Sequence, residues 1–214
     1  MKFLLQIVTV SAGVVALCSC QTSPKAVDYY QLGNEMEEAA KNKRVSRTFE
    51  SFIASPTYRT SRDFWRGAAL REYNPAESHV EILLEMQRGR LYINGKIAMD
   101  FPVSTGTKDQ HDTPCGTFRI TEKKREHHSS LYGSFVDAQG DVVKSKVHSS
   151  DKAPAGSRFQ GTLMEYWMRF NGAIGMHTGK IEREAESHGC VRIPPEACSI
   201  LFDKLAIGSK VIVK

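Results

Sequence analysis

Ser187-His188-Gly189-Cys190-Val191-Arg192 is the stretch on which the reading of this chain turns. It sets a cysteine beside a glycine, with one histidine two positions earlier and a second at His177. Together these supply a nucleophile and two candidate bases. A free thiol titrates near 8.5, and a neighbouring imidazolium lowers that value enough to give thiolate at neutral pH. Gly189 lets a carbonyl approach the backbone closely, and the amides of Gly189 and Cys190 are placed to donate to an oxyanion. That combination suits acyl transfer through a thioester. Taken alone, the same residues also describe a buried thiol near unrelated imidazoles. They are zinc-ligand types as well, but no Cys-x-x-Cys pair or fourth ligand accompanies them, so no metal or other cofactor is expected.

The surrounding chain reads as strand-rich. Downstream, Pro194 and Pro195 suit a helix start, Ala197, Ile200, Leu201 and Leu205 follow helical spacing, and Gly208 suits the stop. Val211-Ile212-Val213 suits a last strand. Upstream, Val80 to Leu84 and Arg90 to Ile97 read as strands, with Asn94-Gly95 as a hairpin turn. Ala98 to Ser104 and Gly116 to Thr121 read as two more, separated by a polar loop. His127 to Ala155 reads as a long loop with short paired strands near Phe135-Val136 and Val142-Val143. Lys123-Lys124-Arg125 reads as a solvated turn, and His111, His127, His128 and His148 as solvated side chains.

Several segments in order carry a family resemblance. Gly175-Met176-His177-Thr178-Gly179 followed by Ser187 to Pro194 resembles the signature of the YkuD-type L,D-transpeptidases. Phe101 to Gly106, Thr113 to Phe118 and the aromatic run Tyr166 to Phe170 resemble further family segments. The resemblance implies a mostly β (α+β), sandwich-like domain with a helix packed beside the catalytic loop. It implies that Cys190 is the nucleophile and His177 the proton-exchanging base, oriented by the carbonyl of Thr178. Ser187, His188 and Gly189 would line the acyl site, Arg192 would meet substrate carboxylates or hold the loop, and Tyr166 and Trp167 would wall the groove. The implied substrates are peptidoglycan tetrapeptide stems, as donor and acceptor, giving 3→3 crosslinks or attachment to a protein amine. Water as acceptor would instead make a carboxypeptidase or endopeptidase, and loss of catalysis a wall-binding module. Carbapenem-type β-lactams are the implied inhibitors. The step from His177 to Cys190 is shorter than in many members, which bears on substrate preference.

The first residues point to export. Met1 to Cys20 carries one charge, Lys2, ahead of a broken apolar run, the plan of a secretory signal. Leu17-Cys18-Ser19-Cys20 resembles a bacterial lipobox, with Cys20 as the lipidated residue. The expected organisation is a signal at 1–19, a tether and basic extension at 20–78, and a catalytic domain at 79–214, held at a membrane in the bacterial cell envelope. Such processing leaves Cys115, Cys190 and Cys198, an odd number, so one is free; Cys115 and Cys198 are the pair for any disulfide.

Composition sets outer limits. With 214 residues, 41% hydrophobic and 25% charged, the chain is globular rather than collagen-like, disordered or polytopic. A net charge of +5 spread along the sequence is too mild for nucleic acid and compatible with an anionic wall polymer.

Overall fold

Period-two burial along the strands builds two layers. In the computed structural model, which describes residues 48–108 and 111–214, the first sheet runs in the order β1 (Phe64–Trp65), β4 (Lys96–Pro102), β3 (Arg88–Ile93), β2 (Ser78–Leu83), β11 (Lys210–Val213), β5 (Gly116–Arg119). The second runs β10 (Val191–Ile193), β9 (Ile174–Thr178), β8 (Arg158–Asn171), β6 (Glu122–Val136), β7 (Val142–His148). Val80, Ile82, Leu91, Ile93, Phe101 and Val211 from the first sheet meet Met168, Phe170, Met176, Val191 and Ile193 from the second in one fully buried core. Each such side chain contributes about 1.5–3 kcal/mol on burial. The architecture is mostly β, a sandwich with few helices.

Because side chains alternate faces, the inward residues of the second sheet decide what points outward. Met168 and Phe170 on β8 put Trp167 and Arg169 on the outer face, Met176 on β9 puts His177 there, and Val191 and Ile193 put Arg192 there. The registers Val191↔Met176 and Arg192↔His177 between the parallel strands β10 and β9 keep these sets on their faces. That outer face carries the site.

The helix after β10 spans Pro195–Lys204 (α3, after the short helices α1, Phe49–Ile53, and α2, Gly67–Arg71). It buries Ala197, Cys198 and Leu201 in the core. It ends four residues before Gly208, which instead sits at φ +92° in the turn into β11. Asn94 and Gly95 both take positive φ, as a tight β3–β4 turn requires.

Three expectations change. The long loop at 127–155 is mostly sheet, since β6 and β7 pair from Tyr132↔His148 to Val136↔Val142. Cross-strand hydrogen bonds stabilised what composition left without an apolar signal. Lys123 to Arg125 lie within β6, and Lys123 Nζ donates to the carbonyls of Phe202 and Leu205 at the end of α3 rather than to water. Cys115 and Cys198 are both free thiols, the first exposed and the second buried.

The 79–214 boundary falls inside β2, and residues 48–77 pack against the first sheet. Phe49, Phe52, Tyr58 and Phe64 form their own buried cluster over it. Beneath them, Asp100 accepts from Arg88, Arg90 and the Tyr58 hydroxyl, while Arg88 also donates to the carbonyls of Ser61 and Arg62. Arg88 and Asp100 are both fully buried. The expected signal, the lipidation at Cys20 and the tether up to residue 47 lie outside the described residues. Among the described residues, no helix is long and apolar enough to cross a membrane.

Candidate active site

Cys190 stands one residue before β10, with its thiol against the backbone of Gly175 and its Sγ 3.9 Å from the Ala173 carbonyl. His177, on the neighbouring strand β9, lines the same cleft, is paired in register with Arg192, and is only 8% exposed. Its Nδ1 lies 2.8 Å from the Thr178 carbonyl. A carbonyl only accepts, so Nδ1 carries the proton and Nε2 keeps its lone pair for the thiol.

Both groups are neutral at rest. Burial pushes the His177 pKa down to about 4, against the opposing pull of the Thr178 carbonyl. Burial also raises the Cys190 thiol, partly offset by the Gly175 backbone hydrogen bond and by Arg192. The expected thiolate held by an imidazolium is therefore replaced by a thiol beside a neutral base. The reason is desolvation, which disfavours both charged forms together.

The loop that delivers Cys190 is fixed from several sides. Ser187 is buried, its hydroxyl donates to the Cys190 carbonyl, and it accepts from the Gly189 amide at 3.2 Å. Ser187 thus shapes the loop, and in this state the Gly189 amide is engaged there. Thr113 Oγ1 donates to the Gly189 carbonyl at 2.8 Å and accepts from the Gly106 amide at 2.9 Å. Ser104 bonds both ways with the Arg192 backbone, and its hydroxyl accepts from the amides of Glu182 and Arg183. This is the physical role of two upstream segments that had only a resemblance to recommend them. Two glycines make the approach feasible: Gly189 sits at φ +104°, and a Cβ on Gly106 would lie 1.8 Å from the His111 carbonyl and 2.8 Å from the Gly189 Cα.

The cleft in front of Cys190 holds about 270 Å³. Its walls include Trp167, His188 and Arg192, as expected, and Arg169, His127 and Tyr132, which were not. His127 stacks on Trp167 with ring centroids 4.6 Å apart. Tyr132 stacks on His188 at 4.0 Å, and His111 meets the other side of that imidazole edge-on at 4.7 Å. His111, His127 and His148, whose ring packs against Tyr132, are therefore not simply solvated. The signal that could have found Arg169 is strand parity with Trp167; His127 pairs with Met164, at the opposite parity, and reaches Trp167 past the positive-φ residue Tyr166. Tyr132 carried none, because it enters at a register shift in β6 between His128 and Gly133.

Tyr166 is not in the cleft. It sits at φ +53°, its ring packs on Phe202, and its carbonyl takes the Cys198 thiol at 3.8 Å. Strand alternation turns it away from Trp167, toward α3. Burial lifts the Cys198 thiol to about 12, so it remains protonated beneath the helix. No group of His, Cys, Asp and Glu able to hold a metal ion occurs among the described residues.

Cys190, His177 and the glycine loop tied by Thr113 all fall within a stretch that matches a known catalytic domain. The model of the YkuD family, the L,D-transpeptidase catalytic domain, matches residues 77–213. The chain belongs to that family. Similar solved structures include an L,D-transpeptidase from Stackebrandtia nassauensis, 23% identical, covering 67% of this chain and 58% of that one, with a TM-score of 0.47. Another is an L,D-transpeptidase from Mycobacterium smegmatis, 20% identical over 64% of this chain and 58% of its own length, also at 0.47. A third, from Enterococcus faecium, is 22% identical over 64% of this chain and 50% of its own length, at 0.43. The chain thus spans under two thirds of the length of each of these proteins. No curated protein matches it.

Proposed function

We propose that this protein is a peptidoglycan L,D-transpeptidase working through a thioester on Cys190. The observation that carries the reading is the His177 ring: Nδ1–H to the Thr178 carbonyl, Nε2 left to take a proton, and the Cys190 thiol in the same cleft. Cys190 Sγ attacks the carbonyl of the third stem residue as His177 Nε2 takes the thiol proton. The transient imidazolium returns that proton to the amine of the leaving D-alanine, and the thioester remains. An acceptor amine then attacks, gives its proton to His177, and leaves an amide, the 3→3 crosslink, with the thiol restored. General acid–base transfer of this kind contributes about 10²–10⁴-fold. The chemistry is complete with thiol, imidazole and amide donors.

Two arginines and three histidines line the cleft, and no acidic side chain does among the described residues, which favours a substrate rich in carboxylates. Export and lipidation at Cys20 belong to the same proposal, because a stem peptide lies outside the cytoplasmic membrane.

Incubation of the full chain with purified tetrapeptide muropeptides, followed by mass analysis, tests the reading. The expected result is loss of D-alanine, a thioester on the Cys190 peptide, and crosslinked product when an amine acceptor is present. Trimmed tripeptide with no crosslink would make water the acceptor. Absence of any change in the muropeptides would overturn the proposal.

A further inference from the structure

One face of the second sheet continues past the nucleophile in a straight row. Cys190 lies against Gly175, Gly175 pairs with Arg169, and Arg169 pairs with Glu122. Gly175 carries no side chain, and the Trp167 ring fills that place: a Cβ there would come within 2.6 Å of it, so the indole lies between Cys190 and Arg169. Strands lie about 4.8 Å apart, so Arg169 stands about 10 Å from Cys190 along the row.

Arg169 is held ready. Its Nε donates to Glu122 Oε2 at 2.7 Å and its Nη1 to the Gly172 carbonyl at 3.3 Å. Nη2 has no acceptor among the described residues, and the side chain is 35% exposed in the cleft wall. Glu122, by contrast, is already served by Arg169, the Trp167 Nε1 and Lys124, and those donors hold its carboxyl down to about 2. The end of the row therefore presents an oriented guanidinium edge rather than a carboxylate. A planar guanidinium fixed on one side is suited to a second carboxylate on the other.

We propose that Arg169 is a specificity residue that binds a carboxylate at the far end of the donor's diamino-acid side chain. This rests on the transpeptidase reading above. The residue that supplies the scissile carbonyl would lie in the cleft that Cys190, Trp167 and Arg169 share, its carbonyl at Cys190 and its side chain running past Trp167 toward Arg169. Arg192, on the strand beyond His177, is left for a different carboxylate of the stem. A donor whose side chain ends in an amine alone would bring like charge to Arg169. The substrate class is thus a stem of the 2,6-diaminopimelate type with a free side-chain carboxylate, in preference to its amide or to lysine.

The test uses three tetrapeptide donors that differ only at that side chain: diaminopimelate, its side-chain amide, and lysine. D-Alanine release is followed at subsaturating donor. Wild type is expected to favour the free carboxylate by about 10- to 100-fold in kcat/KM, the range of a charged hydrogen bond. Arg169→Gln should bring the three donors within a few-fold of one another, chiefly by raising KM for the carboxylate. Arg169→Lys, which keeps charge without the fork and guards against a folding defect in the first variant, should retain part of the preference. Equal use of all donors by wild type, or an equal fall for all donors in both variants, would overturn the assignment while leaving the transpeptidase reading intact. Absence of D-alanine release from every donor would instead overturn the reading beneath it.

Discussion

The two sheets both bury ionisable groups, and they treat them in opposite ways. Under the first sheet's aromatic cap, Arg88 and Asp100 are fully buried as an ion pair, with Arg88 also donating to the carbonyls of Ser61 and Arg62 and Asp100 accepting from the Tyr58 hydroxyl. At the second sheet, His177 is buried and Cys190 half-buried with no carboxylate beside them in the cleft among the described residues, and desolvation disfavours the charged form of each. What burial costs an ionisable group depends on the partners it finds there. The first arrangement holds residues 48–66 to the domain. The second stores a proton that can move.

The sharpest way to break the contrast is to remove the thiol of Cys190, the proposed nucleophile. Cys190→Ala should abolish acylation by tetrapeptide donor or by a carbapenem, read as drug mass on the Cys190 peptide, while the urea midpoint stays close to wild type. Adduct that persists elsewhere in the chain at the wild-type rate would show that another group carries the chemistry. Next comes the charged pair. Asp100→Asn leaves Arg88 buried without its counter-charge and should cost about 3–5 kcal/mol in urea unfolding, with acylation of the folded fraction unchanged. A cost under 1 kcal/mol would mean that water reaches Arg88.

His177→Asn should slow Cys190 acylation by about 10²–10⁴-fold. The same residue makes a stability prediction. Its folded pKa, about 4, lies below the ordinary 6.5, so the unfolded chain binds the proton first as pH falls. Its neutral burial is therefore without penalty above pH 6.5, and stability declines between 6.5 and 4 by up to about 3 kcal/mol. Urea titrations across that window should lose this slope in His177→Asn. The acid limb of acylation in wild type should fall near pH 4 rather than 6.5. The smallest effect belongs to the cleft wall. Tyr132→Leu removes the stack on His188, worth about 0.5–1.5 kcal/mol, and should slow donor acylation a few-fold while lowering the unfolding midpoint by no more than that small loss.

How much of this was legible followed the same division. The first sheet announces itself: Val80 and Ile82 alternate with polar neighbours, and Asn94-Gly95 dictates its turn. Cys190, His177 and the Thr178 carbonyl could be named because short motifs hold them within a few residues of their partners. The cleft wall was harder. Trp167 was found by its motif, but Arg169 and His127 acquire meaning only once β8 and β6 are paired, and their neighbours are forty or more positions away. The long pairing of β6 with β7 and β8 draws on backbone hydrogen bonds, which any polar sequence can make, so Ser129 to Tyr132 looked like loop. The boundary at residue 79 missed Arg88 and Asp100 as partners of the preceding segment, since a buried ion pair inside strands looks, in sequence, like two surface residues.

The protonated state of Cys190 at rest has a consequence for how the site meets its surroundings. Peroxides and small alkylating reagents attack sulfur mainly as thiolate, so a thiol kept above its usual pKa is slow to be oxidised or blocked by chance encounter. In the proposed reaction, reactivity is released only when an electrophilic carbonyl settles in the cleft and His177 takes the proton in the same event. The same burial that delays ionisation would then work as a filter, admitting a carbonyl that fits the cleft and slowing simple thiol reagents.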